Sequence, residues 1–155
     1  MTLLSGSELV LLAEVPRAGD RWHQVHFNRD VAEQFFRLTP GDERLVTLER
    51  IGSDGKIAHR TSRPLVYSEA NANSKIEFEL GTPNYPDDGV PLLLLLEIEV
   101  RHVRFVLLLP GQTGFSEMEA LNRSGTKVGR GLHRSITTLD EVLLRWPGCP
   151  LGKTP

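Results

Sequence analysis

Apolar positions in this chain fall in short runs, most of them at every second residue, and the runs are punctuated by proline, glycine and asparagine. That spacing belongs to β-strands with one face in a core. Ser7–Val15 is a short apolar run closed by Pro16 and Gly19, and it predicts a first strand. Arg21–Phe27 alternates, with Trp22, Gln24 and His26 on one side and His23, Val25 and Phe27 on the other. The period then changes. Asn28 is placed to accept a backbone hydrogen bond as a helix N-cap, and Asp30 suits the positive helix start. Val31, Ala32, Phe35 and Phe36 share one face at helical spacing, and Pro40-Gly41 ends the unit.

Arg44–Ile51 and Lys56–Arg60 predict a hairpin around the turn Ser53-Asp54-Gly55. Pro64 interrupts before Leu65-Val66-Tyr67, and the polar stretch Ser68–Ser74 has no strand signal. Lys75–Leu80 alternates again, and Gly81–Asp88 is a Pro/Asp-rich loop. Leu92–Val100 and Val103–Leu109 are the most apolar strands and read as a core hairpin that turns near Arg101-His102. Helical patterns follow at Phe115–Leu121 and after Thr138, which with Glu141 makes a capping box before Val142, Leu143, Leu144 and Trp146. Between them Ser124–His133 reads as a flexible, glycine-containing basic loop, and Pro147 ends the last helix. The expected fold is mainly β: a seven-stranded open pseudobarrel with short flanking helices over residues 1–147. Residues 148–155, with Cys149-Pro150-Leu151-Gly152, read as a linker towards a further domain.

Charge sharpens this picture. The chain carries net −2, yet Lys56–Lys75 is net +3 and Asn122–Arg134 is net +4, which leaves −9 on everything else. Positive charge gathered on two polar segments of an acidic body suits a polyanion held in one place, and it also suits plain solvated loops. The 155 residues are enough for one domain with a core. A lone Cys149 excludes a disulfide framework and a Cys-rich zinc site. The apolar run Val90–Leu109 holds Glu97, Glu99, Arg101, His102 and Arg104, which excludes a membrane-spanning helix. The start of the chain has no basic segment of a signal peptide, so the expected address is cytoplasmic, with no membrane partner.

Two groups of residues carry a family resemblance. His23-Gln24-Val25 followed by Val31-Ala32-Glu33-Gln34-Phe35-Phe36 resembles the strand-then-helix unit of the B-three-type DNA-binding pseudobarrel. It is more closely similar to the N-terminal effector domain of EcoRII-type restriction endonucleases. Downstream, Ser62-Arg63, Lys75-Ile76, Gly81, Pro83, Asp87 or Asp88 and the Leu92–Leu96 run look like that domain's second arm and core strand. The resemblance implies a wrench-shaped domain of a bacterial restriction–modification system, with two arms that grip the major groove of double-stranded DNA. By position the first arm is Val15–Gln24, with Arg17, Arg21, Trp22, His23 and Gln24. The second is Arg60–Glu77, with Arg60, Arg63, Tyr67, Glu69, Asn71, Asn73, Lys75 and Glu77. Arg130 and Arg134 would touch phosphate. Arg, Asn, Gln and Glu together suit readout of a mixed sequence, since each matches a different base edge. The arm is poorer in arginine than the family's, at Asn71-Ala72-Asn73-Ser74-Lys75. The resemblance also implies no catalysis and no cofactor in this chain, with Mg²⁺ and cleavage left to a nuclease domain of the same polypeptide.

Other readings stand beside this one. Trp22 also reads as half-buried packing, and one of His23 and His26 as an ordinary strand histidine. Asn71 and Asn73 are also turn formers, and Glu77 and Glu79 also suit a solvated strand face. Asp87, Glu97 and Glu99 mimic the carboxylate pattern of a metal-dependent nuclease core. A non-catalytic protein-interaction β-domain is the third possibility.

Overall fold

Leu92–Leu96 is buried on both faces, and the rest of the fold is arranged to keep it so. In the computed structural model, residues 4–17, 22–67, 73–81, 84–128 and 133–153 are described, with 73–75 as backbone only. The described strands are β1 (Leu9–Glu14), β2 (Gln24–Asn28), β3 (Glu43–Ile51), β4 (Ile57–Val66), β5 (Asn73–Glu77), β6 (Leu92–Glu99), β7 (His102–Leu108) and β8 (Arg134–Thr138). The helices are α1 (Arg29–Gln34), α2 (Phe115–Ser124) and α3 (Leu139–Arg145), followed by a 3₁₀ turn over Pro150–Lys153.

Six strands form one sheet in the order β4-β3-β7-β6-β1-β8, and β2 pairs with β5 in a second, two-stranded sheet. All neighbours are antiparallel except β3 and β7. The large sheet stays open, with β4 and β8 at its edges. The expected mainly β, open architecture is therefore present, with eight strands rather than seven. The added strand is β8, which directly follows the segment expected to be a basic loop. It is short and carries little apolar signal, and its pairing with Leu9–Ala13 of β1 makes it a strand.

Alternation along the strands divides the core in two. Leu11, Ala13, Val46, Leu48, Leu93, Leu95 and Phe105 face the small sheet and α1, where Val25, Phe27, Phe35, Phe36, Ile76 and Phe78 meet them. Val10, Leu12, Leu92, Leu94, Leu96 and Val106 face the other way, under Phe115, Met118, Leu121, Val142 and Trp146. A strand between two dry layers needs apolar residues at every position, which is why β6 does not alternate. α1 forms where its cap predicts: the Asn28 side-chain oxygen accepts from the Val31 backbone amide at 2.9 Å, and its side-chain Nδ2 donates to the Val128 carbonyl at 3.0 Å. Thr138 caps α3 by accepting from the Glu141 amide at 3.4 Å. At Gly114, φ is +91° and a Cβ would overlap the Trp146 ring, so only glycine fits between α2 and the end of α3.

Three further expectations need correcting. Pro64 lies inside β4 rather than interrupting it, because β4 is an edge strand and a missing N–H there costs little. The segment read as a linker packs onto the fold as far as Lys153: Cys149 and Leu151 are buried in the second core layer. Burial pushes the Cys149 thiol up to about 11, so it is an inert core group. Arg134 is 5% exposed and does not face solvent. Its Nη2 donates to the His26 carbonyl at 2.7 Å and its guanidinium lies 5.5 Å from the Phe27 ring centre, so it ties β8 to the small sheet.

Two outcomes follow. Leu151→Ala should lower stability by about 2–4 kcal/mol in urea unfolding, where a linker residue would change it by under about 0.5 kcal/mol. Arg134→Ala should cost about 2–4 kcal/mol, whereas Arg134→Met should cost less, because it keeps the packing and removes the buried charge.

Candidate nucleic-acid interface

The described ends of the two segments assigned as arms meet where β2 pairs with β5. The first runs from the end of β1 to the start of β2, and the second from β4 into β5. β2 and β5 pair in register, with Gln24 opposite Glu77 and Val25 opposite Ile76. β4 turns one row of side chains towards them. A cleft of about 670 Å³ lies between, with His59 and Arg63 of β4 and Arg50 of β3 on one wall, and His23, Glu77 and Glu79 on the other. Trp22, Phe78 and Leu80 line its base.

One ion pair and one longer contact organise the cleft. Arg50 Nε donates to Glu79 at 2.7 Å. Burial opposes ionisation of Glu79, but the Arg50 hydrogen bond and charge outweigh it and hold the carboxyl below its usual range. Gly81 closes this corner with φ +76°, and a Cβ there would press on the Arg50 guanidinium. His23 Nε2 lies 3.9 Å from Glu77, both partly exposed, a contact too long for a hydrogen bond. The Arg63 and His59 side chains are exposed. Beside the first arm, Tyr85 donates to the Val15 carbonyl at 2.7 Å, and Arg17 stands 5.8 Å from its ring centre. The cleft therefore presents cations, imidazoles and a carboxylate over an apolar base.

The structure sorts the sequence-assigned residues. His23, Arg63 and Glu77 meet in the cleft, Gln24 pairs beside it and Arg17 stands at the first arm. Trp22 is 3% exposed, so packing is its role: it sits in the turn before β2, edge-on to Tyr85 at 5.2 Å. Tyr67 is also buried, and its hydroxyl donates to Glu33 at 2.7 Å, holding the end of β4 against α1. Arg60 lies on the opposite face of β4 from Arg63, because residues three apart in a strand point oppositely. Arg134 is the buried tie described above. Arg21, Glu69, Asn71 and Arg130 lie outside the described residues, as do the side chains of Asn73 and Lys75. Sequence reasoning missed His59, Arg50, Glu79 and Tyr85. His59 and Arg63 share a face of one strand, a signal hidden by reading Pro64 as a break.

The carboxylates of the nuclease alternative are differently employed. Glu97 accepts from Arg37 at 3.1 Å, and Asp87 is exposed in its loop. Among the described residues no three His, Cys, Asp or Glu side chains are grouped to hold a metal ion. No helix among them is long and apolar enough to cross a membrane.

No protein-family model matches the sequence, and no curated protein does. Among solved structures, the fold is similar to the N-terminal domain of Helicobacter pylori LlaJI.R1, with a TM-score of 0.55 at 13% identity over 83% of this chain and 97% of that one. At that identity the likeness is one of fold.

Proposed function

We propose that this chain binds double-stranded DNA sequence-specifically, as the recognition domain of a restriction-system protein. The observation that carries the reading is the convergence of two separate chain segments on one cleft, with Arg63, His59, His23 and Glu77 presented together. The fold likeness to a domain of a restriction-modification protein supports the setting. In this reading the two segments act as arms in the major groove, as in EcoRII-type effector domains. Arg63 donates to guanine O6 and N7, Gln24 pairs with adenine, and Glu77 accepts from cytosine N4. Arg17 sets the register on phosphate. Cleavage belongs to a Mg²⁺-dependent nuclease domain of the same polypeptide, and this chain holds the site without cutting.

A second reading has its own observation. At the β3–β4 end of the large sheet Leu45 is 67% exposed and Val66 is exposed beside it, which suits a protein-interaction β-domain.

Selection from random duplexes, followed by competition against single-base variants, tests the first reading. Arg63→Ala and Glu77→Ala should each lose about 1–3 kcal/mol of discrimination at one base pair. Arg145→Ala, on a helix away from the cleft, should leave that discrimination unchanged. If no sequence is enriched and affinity is negligible at low salt, the interaction-domain reading takes over. Incubation of the selected duplex with Mg²⁺ should leave both strands whole; cleavage would overturn the division of labour.

A further inference from the structure

Among its described residues, the cleft between β4 and the small sheet holds as many negative charges as positive ones. Arg50, Arg63, Glu77 and Glu79 line it, two cations and two anions. Arg50 and Glu79 are bonded to each other at 2.7 Å. Arg63 stands on β4 and Glu77 on β5, and their charges cancel in the sum without a bond between them. A duplex brings only negative charge to such a wall. A cleft that holds DNA therefore needs a further source of positive charge.

The two remaining titratable side chains of the cleft are both imidazoles, His59 and His23. Histidine is the side chain whose charge changes between about pH 5 and pH 8. His59 is exposed and lies opposite Arg50 in the β3–β4 register. Arg63, four residues on, shares its face of β4. From the other wall Glu79 lies within reach of its charge. Both Glu79 oxygens are already engaged, one by Arg50 Nε and the other by the Gly81 amide at 3.0 Å. Among the described residues nothing is hydrogen-bonded to the His59 ring. His23 is fixed through its backbone, whose carbonyl accepts from the Phe78 amide at 3.0 Å. Its ring is 38% exposed, and Nε2 stands 3.9 Å from Glu77, beyond hydrogen-bond length. Both rings are thus open to a ligand in the cleft. With both neutral, the described side chains of the cleft sum to zero, and with both protonated they sum to +2. An imidazolium also donates from both nitrogens, which suits the oxygen and nitrogen acceptors of a duplex.

We propose that DNA binding in this cleft is linked to protons, with His59 and His23 taking up charge as the duplex enters. The proposal rests on the DNA reading of the cleft and names its regulation: affinity rises as pH falls. Negative charge and acceptors beside a ring favour its protonated form, so the complex holds more protons than the free chain. Each proton taken up raises affinity by up to about tenfold for every pH unit lowered. His23 stands beside Glu77 and shares its charge with that carboxylate, so His59 carries the larger part.

The test titrates the intact chain with the duplex enriched by selection, at constant ionic strength, from about pH 8 down to about pH 6. Affinity should rise by about tenfold or more across that range. Calorimetry of the same binding, in two buffers of different ionisation heat, should show net proton uptake. His59→Gln keeps a polar side chain that gains no charge, and it should remove most of the pH dependence. The double variant His23→Gln with His59→Gln should bind with an affinity nearly independent of pH. His26→Gln, exposed on β2 outside the cleft, should keep the wild-type dependence. The salt slope should be steeper at the acidic end by about 1–2, as added cations displace counterions, and the double variant should lose that difference. The calorimetric proton count needs no variant, so it decides the matter even where a substitution disturbs the fold. If the duplex binds with no proton uptake, or if the folded double variant keeps the wild-type pH dependence, the proton link is wrong and the DNA reading stands. If the duplex binds at no pH in the range, the DNA reading itself falls, and the proton link with it.

Discussion

A strand with both faces out of water sets the terms for this molecule. Leu92–Leu96 has no polar side, so something must cover each face of the large sheet. α2, α3 and the closing 3₁₀ turn cover one, and the small sheet with α1 covers the other. The helical layer uses up its side of the centre. The small sheet is only two strands wide and leaves β4 partly uncovered. The cleft is the gap that results. Its position follows from how much of the sheet a two-stranded layer can shield.

Polar side chains fasten the layers at places where backbone pairing is absent. β2 and β5 are not hydrogen-bonded to the large sheet as strands. Arg134 bridges to the His26 carbonyl, Asn28 to the Val128 carbonyl, and Arg50 to Glu79. Each bond crosses between layers, and the buried Arg134 tie is shielded enough to exceed the value of a surface contact. β2, which directly follows His23, and the segment of β5 that carries Glu77 are therefore held by side chains from β8 and β3. Substitutions at those ties will register in the cleft, although the tied residues do not line it in every case.

How much of this could be read in advance depends on where the information lies. α1 was legible because Asn28 and the Val31, Ala32, Phe35, Phe36 spacing state its start and its buried face locally. The β6–β7 hairpin was legible because two-sided burial writes itself as an unbroken apolar run. β8 was not, since Arg134–Thr138 holds one strongly apolar residue and becomes a strand through its partner β1. Packing was one of the two readings of Trp22, but the burial of Tyr67 and Arg134 was hidden, because an aromatic or an arginine serves a core or a surface with equal ease. For the site, His23, Arg63 and Glu77 come from the two segments that the sequence singled out, and they meet in the cleft. It missed the row of β4 that unites His59 with Arg63, since a proline on an edge strand looks like a break. Arg60 was assigned to the same surface for the same reason: without a continuous strand, alternation could not separate it from Arg63.

The place of β1 has a consequence for synthesis of the chain. β1 sits between β6 and β8, and β3 joins its parallel neighbour β7 only after β4, β5 and β6 have been made. A ribosome releases Leu9–Glu14 long before Leu92–Glu99 and Arg134–Thr138 exist to flank it. No early fragment can complete the sheet, so assembly waits for almost the whole chain and is dominated by distant contacts. Until then the β1 backbone groups and its apolar side chains stay open to other partners. Deletions near the C-terminus should accordingly expose the first strand of the chain rather than merely shorten the last.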